Sequence, residues 1–147
     1  MPETETLARA KKDKREGKAA STQAGEFVRE EIEHIREGKH GARSAKQAIA
    51  IGLSKARRAD VKLPPPEKGS ASKETREQAA RDLNKAKSPA KKKSAKRSRA
   101  MSRVLKREGS TAASKTALSR HARSAAAKRS AASRSRSAKK AAQTRKK

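Results

Sequence analysis

The sequence predicts a mostly α-helical protein in which a small helical hairpin precedes a long, largely disordered basic C-terminal tail. Leu, Ile, Val and Phe together account for only 14 of the 147 residues, about half the share below which a chain is expected to stay disordered. Most of these apolar residues lie at helical spacing between residues 27 and 63. Ala, Ser, Lys and Arg dominate the remainder, which therefore lacks the apolar area that offsets the entropy lost on folding.

Charge and proline content divide the chain further. Residues 1–63 carry a net charge of +5 and residues 64–147 a net charge of +22. Pro64, Pro65 and Pro66 favour an extended segment that no helix can cross. We therefore expect four segments, which are a flexible polar N-terminal segment (1–20), a helical hairpin domain (21–63), a Pro-rich linker (64–72) and a basic low-complexity tail with marginal helices (73–147).

The first helix of the predicted hairpin rests on one apolar stripe. Val28, Ile32 and Ile35 are spaced i, i+4 and i+7, which places them on one helical face. Gly38 is a typical stop signal after this stripe. Before the hairpin, residues 5–16 predict only a short polar helix.

The second helix of the hairpin is predicted from Ala45 to about Ala59. Ser44 and Gln47 have the spacing of a capping box, in which each side chain satisfies a backbone donor of the other. Apolar and small residues then recur on one face, so the two stripes can pack together as a hairpin. Val61 and Leu63 could close its end. The basic residues that we expect away from this face are Lys46, Lys55, Arg57 and Arg58.

The basic tail offers weaker helix signals. Ser72 is a candidate cap for a helix over residues 73–87, and residues 94–108 contain a small apolar cluster around Met101. Residues 110–147 contain 12 basic and no acidic residues. Because like charges repel along a helix, we expect this last part to be coil when free and helical on a polyanion.

The excess of positive charge predicts a polyanionic partner, most simply DNA bound through its phosphates without sequence preference. Such a protein would be cytoplasmic, nucleoid-associated and architectural. Alternatives are RNA or ribosome binding through the same charges, and a disordered stress or scaffold protein whose hairpin makes protein contacts. Self-association through residues 24–63 is a further expectation. The residues predicted to bind nucleic acid are Lys91, Lys92, Lys93, Lys96, Arg97, Arg99, Arg103, Lys106, Arg107, Arg120, Arg123, Lys128, Arg129, Arg134 and Arg136.

Two resemblances add to this interpretation. The segment Lys46 to Ala59 carries a K-Q-A-I-A-I-x-L-S-x-A-R-x-A signature and resembles a family of small uncharacterised bacterial domains, mainly over residues 21–66. The resemblance implies a small helical domain and adds nothing on catalysis, and Asp60 stands where a glycine-like helix terminator is expected. In the tail, Ser88-Pro89-Ala90-Lys91 resembles the S-P-x-K/R motif of linker-histone tails, which in that family is associated with A·T-rich minor grooves. The Ala, Lys, Arg and Ser composition after Lys85 is similar to that of bacterial histone-H1-like proteins.

Other functions find less support in the sequence. A helix-turn-helix is a minor alternative, because the connection between the predicted helices is nearer six residues than three or four. His34 and His40 lie among glutamates that equally complement neighbouring cations, so no metal site and no cofactor is predicted. Phosphate-loop, dinucleotide and nucleophile motifs are absent from the sequence, and no enzyme or small-molecule substrate is expected. Nor does any segment have the roughly 20 apolar residues of a membrane span.

Overall fold

The computed structural model describes residues 2–88 and 94–145, and within these ranges the chain forms seven α-helices and one 3₁₀-helix. The helical character predicted from the sequence is confirmed. In chain order the elements are α1 (Thr4–Arg15), α2 (Ala20–Arg36), α3 (Ala45–Arg58), α4 (Lys73–Ala86), α5 (Ala95–Arg107), the 3₁₀-helix η1 (Thr111–Ala113), α6 (Lys115–Ala127) and α7 (Ala131–Arg145).

The prediction of a long disordered tail is wrong. Residues 94–145 are almost entirely helical, as α5, η1, α6 and α7 follow one another with short connections. The many alanines of these helices favour helix formation, and the basic side chains are exposed, where solvent and salt weaken the repulsion between them.

Serines supply the start signals that the composition of the tail obscured. The hydroxyl of Ser94 accepts a hydrogen bond from the backbone of Arg97 at the start of α5, and that of Ser114 accepts one from Ala117 at the start of α6. Ser130 does the same before α7. Each of these bonds satisfies a backbone donor that the first turn of a helix leaves unpaired.

The predicted hairpin is present, and α1 completes its core. Phe27 of α2 is fully buried against Ala56 of α3 and Val61, with Ala10 of α1 on the same cluster. Leu63 packs at the edge, so the residues after α3 close the hairpin as predicted. The helix expected over residues 5–16 is thus packed on α2 by its own small apolar face.

A second apolar cluster joins the hairpin to the chain beyond the prolines. Ile35 of α2 and Ala48 of α3 are both fully buried. They pack with Ala42 and with Ala112 and Ala113 of η1. Because the alanine side chain is small, η1 can pack closely on the surface formed by α2 and α3 although it contains no large apolar residue. This docking positions α6, which begins two residues later, beside α3.

Helix α4 is held by a buried carboxylate. Its start at the Ser72 cap is confirmed, since the Ser72 hydroxyl accepts a hydrogen bond from the Thr75 backbone. Asp82 is 1% exposed and accepts a 2.6 Å hydrogen bond from the Ser54 hydroxyl of α3. Arg58 of α3 lies 3.6 Å from the same carboxylate. These polar contacts dock α4 on α3 where its apolar face alone is weak.

Both ends of α3 follow local rules. At its start, the Ser44 hydroxyl accepts from the Gln47 backbone, while the Gln47 side chain accepts from the backbone of Arg43, one residue earlier than a capping box requires. At its end, the Asp60 and Val61 amides donate to the carbonyls of Arg57 and Ala56, the pattern of a Schellman motif.

Candidate nucleic-acid interface

The ion pairs of the protein are concentrated in its N-terminal half. Between residues 3 and 82 most acidic side chains lie beside a basic partner, as Lys18 lies beside Asp13 at 2.8 Å. Residues 94–145 contain 16 Lys and Arg but only one acidic residue, Glu108. Glu108 lies beside Arg43, and within the described ranges no Lys or Arg of 94–145 takes part in an ion pair. Their charge is therefore not neutralised within this part of the chain.

The predicted binding residues that the structure describes are all exposed to solvent. Lys91, Lys92 and Lys93 lie outside the described residues. On α5 are Lys96, Arg97, Arg99, Arg103, Lys106 and Arg107; on α6 are Arg120 and Arg123; Lys128 and Arg129 follow α6, and Arg134 and Arg136 are on α7.

Helix α6 gathers cations and hydroxyl groups on one face. Lys115, Thr116, Ser119, Arg120 and Arg123 line a shallow cleft of about 480 Å³ along this helix. Their spacing places all five within a single arc of the helix surface. Guanidinium, ammonium and hydroxyl donors on one face are the groups that hydrogen-bond phosphate oxygens.

A second cleft, of about 560 Å³, continues this face towards α3. It shares Thr116 and Arg120 with the first cleft and adds Arg43, Lys46 and His121. We call the two together the basic cleft. Arg43 and Lys46 were not among the predicted binding residues, because they lie some 70 residues from Arg120 in the sequence and only the docking of η1 brings them together.

Two helices begin at the basic cleft. Ser44 and Ala45 at the start of α3, and Ser114 before α6, are among its lining residues. The first turn of a helix exposes backbone N–H groups and the positive end of the helix dipole, both of which favour an anion. The backbone dipoles of the two helices therefore add to the positive potential that the side chains produce in the cleft.

Two basic residues of α3 make contacts within the protein. Arg57 is only 6% exposed and donates to the carbonyls of Leu63 and Pro64, which ties the start of the Pro-rich segment to the helix. Burial lowers the pKa of the Arg57 guanidinium, an effect that Asp82 opposes. The sequence predicts only that Arg57 lies away from the apolar face of α3, and its burial depends on the residues that follow the helix.

Lys55 is also drawn inward. Its ammonium lies 3.3 Å from Glu30 Oε1 and 2.6 Å from Glu31 Oε2, and both carboxylates are almost fully buried in α2. Burial opposes ionisation of Glu30, but hydrogen bonds from the Glu3 backbone and the Thr6 hydroxyl, with the charge of Lys55, hold the pKa of Glu30 below its ordinary value.

One further cluster of titratable groups emerges only in the structure. Donor atoms of Glu31, His34 and His40 all lie within 4.8 Å of one another. Glu31 Oε1 lies 3.2 Å from His40 Nε2, and the carboxylate of Glu3 lies 2.8 Å from His34 Nε2.

The protein thus consists of a helical hairpin packed against α1, followed by an exposed, strongly basic helical C-terminal region. Residues 11–68 match the model of a family of unknown function, DUF6496. This match supports the predicted resemblance of residues 21–66 to a small uncharacterised domain. It does not extend to the basic region, whose likeness to histone-H1-like proteins stays a prediction. Searches of the curated proteins and of the solved structures found no match.

No helix within residues 2–88 and 94–145 combines the length and apolar character needed to cross a membrane.

Proposed function

We propose that this protein binds DNA through the phosphate backbone with little sequence preference, as an architectural or nucleoid-associated protein without catalytic activity. The observation that carries the proposal is the imbalance of charge in residues 94–145, where 16 basic residues accompany one acidic residue. Cations without internal partners can neutralise phosphates and release condensed counterions, which drives binding whatever the base sequence.

The basic cleft supports the same function at the level of geometry. Arg43 and Lys46 face the same space as Arg120, at the start of two helices. A phosphate there would meet charged side chains, hydroxyl groups and backbone N–H donors at once. We therefore place the best-defined phosphate contacts at this cleft and weaker contacts along α5 and α7.

The use of α3 argues against sequence-specific recognition by a helix-turn-helix. A recognition helix must present several side chains to base edges in the major groove. Lys55 and Arg57 of α3 instead contact groups of the protein itself, and Arg58 lies beside Asp82. Helix α3 thus has few polar side chains left to read bases.

The salt dependence of DNA affinity tests the proposal. If about eight phosphates are neutralised, log K should fall against log salt with a slope of about −7. Replacing Arg120, Arg123 and Arg134 together by Gln should reduce the magnitude of this slope by about 3, since each lost contact removes about 0.9. Binding of the full-length chain to random duplex DNA can be measured by fluorescence anisotropy over a salt series.

The matched control removes the same charge from ion-paired positions. Lys12, Arg29 and Lys73 are exposed but lie beside acidic partners. Their joint replacement by Gln should leave the slope close to that of the wild type. Equal effects of both triple variants would mean that net charge alone matters, and a slope shallower than about −2 would exclude backbone binding.

Competition separates the alternatives. Unlabelled duplexes of unrelated sequence should compete equally, because phosphate contacts carry no sequence information. If the complex with one duplex persisted in a large excess of duplexes of other sequence, the protein would instead read the bases directly. Tighter binding to structured RNA than to duplex DNA would mean that the same basic residues bind an RNA partner.

A further inference from the structure

The end of α2 and the loop that follows it bring together three side chains that bind metals in other proteins. Glu31 and His34 are three residues apart on α2, so they share one face of the helix. Gly38 then adopts a φ of +73° and reverses the chain, which returns His40 to the same face. The imidazole centroids of His34 and His40 are 6.2 Å apart and nearly perpendicular.

The spacing of the donor atoms suits a small metal ion. Glu31 Oε1 and His40 Nε2 are 3.2 Å apart, which matches two ligands bound to one ion at about 2.0–2.2 Å. The widest separation in the cluster is within 4.8 Å.

Each imidazole has a second partner that fixes its orientation. His40 Nδ1 lies 3.1 Å from the Gly41 carbonyl, so an Nδ1–H donor there leaves the lone pair of Nε2 facing Glu31. His34 Nε2 lies 2.8 Å from Glu3 Oε1. Carbonyl and carboxylate partners of this kind commonly orient metal-binding histidines.

The local charge also favours a cation. Glu31 is 1% exposed, and its Oε2 contacts Lys55 without completing a hydrogen bond. Lys55 is shared with the equally buried Glu30. Two buried carboxylates thus share a single ammonium group.

We propose that Glu31, His34 and His40 form a binding site for a divalent transition metal such as Zn²⁺, with water as the fourth ligand. Two imidazoles and one carboxylate suit Zn²⁺, Co²⁺ or Ni²⁺ better than Mg²⁺ or Ca²⁺, which prefer oxygen ligands. The metal would fasten the end of α2 to the loop before α3. That loop also contacts the end of α5, since the Gly41 amide donates to the Leu105 carbonyl at 2.8 Å.

Calorimetric titration of the nuclease-treated, full-length protein with Zn²⁺ tests the site. We expect one equivalent to bind, and H34N and H40N to weaken binding by about tenfold or more. The third histidine of the chain is the matched control, because His121 lies on α6 and is not a member of this cluster. H121N should bind Zn²⁺ as the wild type does. Unchanged affinity in H34N and H40N, or an equal loss in H121N, would overturn the proposal.

Nuclear magnetic resonance of the wild-type protein removes any dependence on the folding of the variants. Added Zn²⁺ should shift the ring nitrogen resonances of His34 and His40 and leave those of His121 in place. Co²⁺ should develop the strong visible absorption of a tetrahedral complex. Shifts confined to His121, the absence of shifts, or a spectrum of hydrated Co²⁺ would each exclude the site.

Discussion

Asp60 adopts a backbone conformation that residues with a side chain rarely occupy, with a φ of +66°. The position is the first beyond the C-cap of α3, where a Schellman motif usually contains glycine. Asp is among the residues that tolerate this conformation best, which explains how the helix ends without the expected glycine. Its negative charge also lies at the negative end of the helix dipole, so the residue is unfavourable in two respects.

Replacing Asp60 by Gly should therefore stabilise the protein by about 0.5–1 kcal/mol, because it relieves backbone strain and removes the unfavourable charge. Thermal and urea unfolding would measure the gain. Asp60→Asn removes the charge alone and should give a smaller increase. The reverse change at the equivalent turn after α2, Gly38→Ala, should destabilise, since Gly38 also has a positive φ. A loss of stability in Asp60→Gly would contradict this account of the helix end.

At the scale of the elements, the pairing of α2 and α3 depends on one close approach. A Cβ atom built on Gly52 of α3 would lie 2.6 Å from the Cα of Val28 in α2. Backbone cannot move aside as a flexible side chain can, so glycine is required where the two helices cross. The sequence predicts a face of apolar and small residues on α3, but the contact of Gly52 with the α2 backbone depends on the register of the two helices.

Gly52→Ala should consequently destabilise the protein by about 1–3 kcal/mol despite the higher helix propensity of alanine. Gly25 is the matched control, because it also lies within a helix and a Cβ there would meet nothing within 4 Å. Gly25→Ala should stabilise by about 0.5–1 kcal/mol. Chemical unfolding followed by circular dichroism distinguishes the two, and a gain in both variants would show that α2 and α3 pack less closely.

For the molecule as a whole, the two buried alanines of η1 connect the basic region to the hairpin. Ala112 and Ala113 pack against Ile35 and Ala48, and α6 follows directly. Arg36 of α2 reinforces the junction by donating to the Ala113 carbonyl at 2.9 Å. The arrangement of the basic cleft therefore depends on a very small apolar contact.

Ala113→Asp should disrupt this junction, because it buries an unpaired charge at a fully enclosed position, at a cost of about 3 kcal/mol or more. Amide hydrogen exchange should then show loss of protection in η1 and the first turn of α6, with little change at Phe27. Ala122→Asp adds the same charge at an exposed position of α6 and is the control. Equal exchange in the two variants would mean that η1 does not anchor the basic region.

The sequence by itself determined the features that depend on local spacing and composition. The stripe of Val28, Ile32 and Ile35, the Ser44 cap and the Ser72 cap each predict an element that the structure contains. Helix propensity and capping act within a few residues, so they can be recognised without knowing the fold. The overall charge and its concentration after residue 63 are equally independent of structure.

Only the tertiary structure decided which side chains meet. The burial of Lys55 and Arg57, the contact of Asp82 with α3 and the convergence of Arg43 with Arg120 all join residues that local patterns cannot relate. The ordered basic region was missed for a related reason. Its docking relies on small alanines whose burial depends on the shape of a distant surface, and a count of large apolar residues does not detect such a contact.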